Sequence, residues 1–262
     1  MYNICLWNYA DGSYAYMNRA LVQSLKDNGV NYDFHSFGDY VPNAINHGIK
    51  LNPEQKKHYL FKFTVLYKYV IDLPYDYFIF IDADSYCVRN PENMIQACLR
   101  DSPVHSFLES DCTDSKCVRA DWWGCPLPKY IDIMRRRGVI SEKIYNVNAG
   151  FWGVHKKAIK QFYGLAMEFW YFCKSEGYMF TEEAPLAYVT HMMCGDVELH
   201  TQRNWYNLWC SDWTGHFRGR VPADESWEFT DYMTNEKHLV RPAIVHAMRS
   251  KLELIHKGMS RV

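Results

Sequence analysis

The stretch "DYFIFIDADSYCVRNPEN", residues 76–93, is the part of the chain that decides its fold. Five uninterrupted apolar residues, Tyr77–Ile81, run straight into two aspartates, Asp82 and Asp84, with only Ala83 between them. An unbroken apolar run of that length predicts a central parallel strand buried on both faces. In open α/β sheets, ligands gather beyond the carboxyl ends of such strands, which is where Asp82 and Asp84 stand. Once the chain turns out of the strand, both can converge on one cation. Hard oxygen ligands suit Mg²⁺ or Mn²⁺, and an ion so placed can clamp a diphosphate. Aspartates are also turn formers, so the pair alone leaves a plain cap or turn open.

The flanks extend the pattern on both sides. Residues 4–7 are continuously apolar, and "ADGS" then offers Asp11 or Ser13 as a helix cap ahead of Met17, Leu21 and Leu25, with Gly29 as the stop. A second strand is predicted at 32–37, "YDFHSF". "KKHYLFKFTVLYKYVIDL" (56–73) is expected to form one helix carrying Leu60, Phe63, Tyr67 and Val70 on a face, ended by Pro74. Beyond the acidic pair, strands are expected at 102–110, 148–155, 197–202 and 242–248, and helices at 128–137, 156–174 and 182–193. Alternating strands and helices imply an α/β fold, a mostly parallel sheet with helices on both faces. No repeat, low-complexity tract or linker divides residues 1–262, which favours one domain.

A formal net charge of −1 provides no global field for nucleic acid or anionic lipid, which leaves a nucleic-acid acceptor disfavoured. The one compact basic run, Arg135-Arg136-Arg137, is read as a solvated helix face. The amino terminus has no basic region followed by a signal core, and no apolar run is long enough to span a membrane, so the chain is expected to be cytosolic and complete. Nine cysteines without a C-x-x-C pair predict free thiols, although Cys112 and Cys117 flank an acidic loop. The 20 Tyr and 9 Trp exceed what a core requires. The clusters "DWWGCP" (121–126) and "NWYNLWCSDWTGHF" (204–217) are therefore candidates for an acceptor-binding rim, with core packing as the alternative.

"FKFTVLYKYVIDLPYDYFIFIDADSYCVRNPENM" (61–94) closely resembles the segment of GT-A glycosyltransferases in which a helix, a buried strand and a D-x-D motif bind a nucleotide-sugar through its metal-bridged diphosphate. Val88, Arg89 and Pro91 match the residues that follow the motif in that family. Three further pieces occur in the family's order. "YNVNAGFWGVHKKAI" (145–159) resembles the asparagine-and-glycine strand of retaining families, which implies that Asn148 contacts the sugar. "FTEEAPL" (180–186) resembles the motif whose acidic or amide side chain lies near the anomeric carbon; that position falls on Glu183, beside Glu182. "PAIVHAMRSK" (242–251) resembles the carboxy-terminal strand of the family 8 type, which implies His246 as a third metal ligand after Asp82 and Asp84. Here the family's glycine and Pro-Trp are missing and Lys251 stands one residue early, so the diphosphate contact falls to Arg249 or Lys251.

The resemblance also implies that Lys62 reaches the nucleotide or diphosphate, that Ala83 lies against the donor, and that Asn8, Tyr9 and Asp11 cradle the base and ribose. The function it implies is metal-dependent transfer of a sugar from a nucleoside diphosphate donor, UDP-linked by preference, to an acceptor hydroxyl with retention of configuration. The nitrogen ligand favours Mn²⁺ over Mg²⁺. A sugar nucleotidyltransferase would carry a Gly-rich basic loop where "NYADGSYAY" stands. An inactive sugar-binding relative would have no need of intact Asp82, Asp84, Glu183 and His246.

Overall fold

A computed structural model describes residues 2–99, 102–194, 207–211, 226–231 and 234–247. The predicted strand at 197–202, together with Arg249 and Lys251, lies outside the described residues. In chain order the elements are β1 (Ile4–Ala10), α1 (Ser13–Asp27), β2 (Asp33–Gly38), β3 (Ile45–Asn46), α2 (Pro53–Lys56), α3 (Phe61–Val65), β4 (Tyr77–Ile81), β5 (Ser85–Cys87), α4 (Glu92–Cys98) and β6 (Val104–Asp111). There follow β7 (Asp121–Trp122), β8 (Cys125–Pro126), α5 (Leu127–Arg136), β9 (Tyr145–His155), α6 (Ile159–Ser175), α7 (Glu183–Met193), β10 (Trp209–Ser211), β11 (Trp227–Thr230), β12 (Lys237–Val240) and β13 (Ile244–His246).

Six strands form the central sheet in the order β3-β2-β1-β4-β9-β6. β3, β2, β1 and β4 pair in parallel, and β9 runs antiparallel to both β4 and β6. Five of the six strands therefore share one direction, as the alternating pattern predicts. The apolar run of β4 is buried on both faces by strand alternation: Phe78 and Phe80 enter one core layer, Tyr77, Ile79 and Ile81 the other. Residues of α3, α5, α6 and α7 pack into the first layer, and residues of α1, α4, β10 and β13 into the second. In β1, Trp7 faces the first layer and meets Phe80 and Trp152 edge-on, with centroids 5.0 and 5.9 Å apart. The close seating of β2 beside β1 needs Gly38, since a Cβ there would lie 2.3 Å from the Ala10 carbonyl oxygen.

Two sequence expectations need correction. The helix at 56–73 is interrupted: α2 ends at Lys56, His58 and Tyr59 take left-handed φ values of 57° and 58°, and helix resumes at Phe61. Leu66–Val70 then closes as a wide π-helical turn. Periodicity spans the break because Leu60 and Phe63 are buried despite it. Neither Asp11 nor Ser13 caps α1. The N-cap is Gly12, and the Asp11 carboxylate instead accepts from Tyr9 Oη at 2.9 Å and pairs with Lys56 at 2.7 Å.

The basic run at the end of α5 is spent on structure. Arg135 donates to the carbonyls of Val139, Ser141 and Glu142, Arg136 pairs with Asp132 and Glu176, and Arg137 pairs with Glu168. None of the nine cysteines is in a disulfide. Among the described residues no helix is long and apolar enough to cross a membrane.

Candidate active site

The turn that follows β4 positions the two aspartates. The Asp82 amide donates to the Gly150 carbonyl of β9 at 2.8 Å, and the Ser85 amide closes a turn onto the Asp82 carbonyl at 3.0 Å. The chain has left the strand by Asp84, and both aspartates line the same cleft. A second, three-stranded sheet of order β10-β13-β5 then delivers the distant ligand: His246 stands in register with Ser85 of β5 and Ser211 of β10. Ligand atoms of Asp82, Asp84 and His246 all lie within 4.8 Å of one another. His246 Nε2 is 3.1 Å from Asp84 Oδ1 and 3.8 Å from Asp82 Oδ2.

The far side of the imidazole is held as a metal ligand requires. Nδ1 is 3.3 Å from Ser211 Oγ, and the Trp209 ring stacks on the imidazole with centroids 5.2 Å apart. That leaves Nε2 as the nitrogen aimed at the carboxylates. Gly150 permits the assembly: a Cβ there would lie 2.8 Å from Trp209 Cζ2 and 3.1 Å from His246 Nδ1. Two carboxylates and one oriented imidazole fit a divalent cation.

These residues open onto a cleft of ≈390 Å³ at the carboxyl edge of the sheet. Its walls include Tyr9, Asp11, Lys56, Tyr59, Lys62, Ala83, Trp123, Asn148, Gly150, Glu182 and Glu183. Lys62 is buried beneath the acidic pair. Its ammonium lies 2.9 Å from Asp82 Oδ1, 2.7 Å from Glu182 Oε1 and 3.2 Å from the Ala149 carbonyl. Burial alone would depress the Lys62 pKa, but the Asp82 and Glu182 carboxylates outweigh it and hold the group above its ordinary value. Burial pushes Glu182 up, opposed by Lys62.

On the β9 side, Glu183 accepts from Trp123 Nε1 at 2.7 Å and from the Ala149 amide at 3.4 Å. Burial, then the neighbouring Glu109 and Glu182, raise its pKa well above the carboxylate range. Asn148 is held from both ends: Oδ1 accepts from the Gly150 amide at 2.9 Å, and Nδ2 donates to Glu109 Oε1 at 3.0 Å. Asn146 donates to the other Glu109 oxygen at 2.6 Å.

The structure therefore brings Asp82, Ala83, Asp84, Lys62, Asn148, Glu182, Glu183, His246, Tyr9 and Asp11 to one cleft. Asn8 goes elsewhere, contrary to its expected place beside the base. Its amide is fully buried and exchanges hydrogen bonds with Asn18 at 2.6 and 2.8 Å, because alternation along β1 turns it away from its cleft-lining neighbour Tyr9. Glu109, Lys56 and Ser211 were not expected from sequence. Glu109 lies within β6 without any motif, and Ser211 has meaning only through its register with His246.

Glu109 gives a testable pH effect. Burial pushes its pKa up to about 7 against the lowering effect of the Asn148 and Asn146 amides. A carboxyl raised on folding contributes stability that is full below the ordinary carboxylate range and lost as pH rises through about 7. Glu109→Gln is therefore expected to gain melting temperature over the parent at pH 8 relative to the same comparison at pH 5, followed by thermal denaturation. An equal difference at both pH values would refute the linkage.

No protein-family model matches the chain, and no curated protein sequence matches it. Solved structures do. A crystal structure of an active-site Gln-to-Glu mutant of LgtC aligns at 12% identity and TM-score 0.56, covering 98% of this chain and 95% of LgtC. The galactosyltransferase LgtC in complex with donor and acceptor sugar analogues aligns at 11% identity and TM-score 0.56, covering 98% and 94%. The apo bifunctional glycosyltransferase WbbM aligns at 13% identity and TM-score 0.52, covering 94% of this chain and 45% of WbbM. At these identities the likeness is one of fold. The chain has the mixed, mostly parallel GT-A sheet flanked by helices.

Proposed function

We propose that this chain is a metal-dependent glycosyltransferase that moves a sugar from a nucleoside diphosphate sugar, UDP-linked by preference, to an acceptor hydroxyl with retention of configuration. The observation that carries the reading is the convergence of Asp82, Asp84 and His246 within 4.8 Å, inside a cleft at the carboxyl edge of a GT-A sheet. In the reaction the anomeric C–O bond to the diphosphate breaks, a C–O bond to the acceptor forms, and the acceptor proton leaves with the diphosphate. A divalent cation held by Asp82, Asp84 and His246 would supply positive charge against the leaving diphosphate.

The chain's own residues do the rest. Tyr9 and Asp11, the latter fixed by Lys56, line the end of the cleft at β1 and would receive the base and ribose. Ala83 would lie against the donor between the two ligands. Lys62 holds Asp82 in place, and Arg249 or Lys251 would add charge to the diphosphate. Asn148, fixed by Glu109 and Gly150, would orient the transferred sugar. Glu183 would accept the acceptor hydroxyl's hydrogen bond or face the developing positive charge, with Glu182 holding Lys62 behind it.

The test is a panel of nucleoside diphosphate sugars with Mn²⁺, scored for thermal shift and for slow donor hydrolysis. At least one UDP-sugar is expected to stabilise the protein and be hydrolysed, and a chelator to abolish both. A panel in which no donor binds or hydrolyses would sink the reading.

A further inference from the structure

β7 and β8 pair Trp122 with Cys125, so Trp123 and Gly124 alone form the turn of a two-residue hairpin. Both take positive φ, 49° and 77°. Such turns favour Asn-Gly, because a bulky side chain in the left-handed region is strained. The hairpin holds the strained residue firmly. Trp122 is buried against Tyr130, the Asp121 carboxylate accepts from the Gly124 amide at 3.2 Å, and the Leu127 amide ties the hairpin's base to the Ala120 carbonyl. The indole thus presented is 53% exposed, lines the cleft, and donates its Nε1 proton to Glu183. Strain spent on placing one large flat ring beside a cleft carboxylate points to a ligand that uses the ring.

We infer that Trp123 is the platform of an acceptor subsite for a pyranose, with the sugar's C–H face stacked on the indole and a hydroxyl directed at Glu183. The inference rests on the transferase reading and adds to it the chemical class of the acceptor. Sheet order separates this position from the donor's base. The candidate nucleotide contacts stand at the end of β1, the metal ligands follow β4, and Glu183 and Trp123 adjoin β9 on the far side. The chemistry separates a sugar from the other acceptors. A pyranose offers both an apolar C–H face for the exposed ring and hydroxyls that can hydrogen-bond the Glu183 carboxyl beside it.

The test is saturation-transfer NMR on the full chain with Mg²⁺ and UDP. The probes are the methyl α- and β-pyranosides of glucose, galactose, mannose and N-acetylglucosamine, with a Ser/Thr peptide and a single-stranded oligonucleotide as the other arms. At least one pyranoside is expected to receive saturation on its C–H protons. Trp123→Asn should weaken that pyranoside about tenfold or more, and Trp123→Phe, which keeps a ring, by no more than about threefold. Asn suits the turn, so Trp123→Asn is expected to melt no lower than the parent, which separates lost binding from lost fold. The inference is overturned if no pyranoside is saturated, if saturation survives in Trp123→Asn, or if only the peptide or the oligonucleotide responds. A fall in Mg²⁺–UDP affinity in Trp123→Asn of more than about threefold would put the ring in the donor half and also overturn it. Calorimetry of Mg²⁺–UDP with the parent reads the transferase proposal separately: no nucleotide binding there sinks that proposal, and nucleotide binding without any pyranoside sinks the acceptor inference alone.

Discussion

Asp84→Asn is expected to reduce sugar transfer and donor hydrolysis on the order of a thousandfold, about 4 kcal/mol of transition-state stabilisation, while leaving the protein folded. Asn preserves the shape of Asp84, and the structural hydrogen bond at this position uses the Asp84 backbone carbonyl, which accepts from the Ala247 amide at 2.8 Å. What the substitution removes is one of two negative charges facing His246 Nε2. A neutral amide binds a hard divalent cation poorly and can turn an N–H donor toward it. The parent should gain melting temperature with rising Mn²⁺ as binding to the folded state demands, and the variant should lose that gain. Electron paramagnetic resonance of free Mn²⁺ measures the affinity directly. A variant that still binds Mn²⁺ and hydrolyses donor would show that the Asp82, Asp84 and His246 cluster is not the metal site.

The second large effect concerns Lys62, whose ammonium is shared by Asp82 and Glu182 and is almost wholly removed from solvent. Lys62→Met fits the same channel but strands two carboxylates without their cation. Breaking a buried ion pair from one side costs about 3–5 kcal/mol, far more than the net worth of the intact set. Urea denaturation is the measurement. The penalty has a pH signature. Without Lys62, burial raises Glu182 further, so the lost stability is smallest at low pH, where Glu182 is protonated, and grows as pH rises through its elevated pKa. The double variant Lys62→Met with Glu182→Gln should recover part of the loss, because the second change removes one of the stranded charges. A loss below about 1 kcal/mol at pH 8 would mean that water reaches the carboxylates and that Lys62 behaves as a surface residue.

Where local pattern carries the physics, the sequence sufficed. The apolar run Tyr77–Ile81 reads as a doubly buried strand because each of its residues must leave water on one face or the other, and alternation sends them to two core layers. The acidic pair at its end, the asparagine strand at β9 and the acidic start of α7 were legible because each is a short contiguous signal on a recognisable element. The break at His58 and Tyr59 was not. Helical periodicity survives a kink when the buried residues on both sides still face one core, and nothing in "KKHY" demands a positive φ.

What the sequence by itself determined is thus the alternating α/β architecture, the position of the carboxyl edge and the candidate ligands placed along it. Which of those side chains meet was decided only by the tertiary structure. Asn8 and Tyr9 are neighbours in one strand, yet pairing and pleat send one into a closed amide exchange with Asn18 and the other into the cleft. Glu109 and Trp123 reach Asn148 and Glu183 across 39 and 60 residues, and His246 reaches Asp84 across 162. Contacts of that separation depend on strand order and register, which are settled by burying the whole set of apolar faces together and leave no local trace in the residues that come to touch.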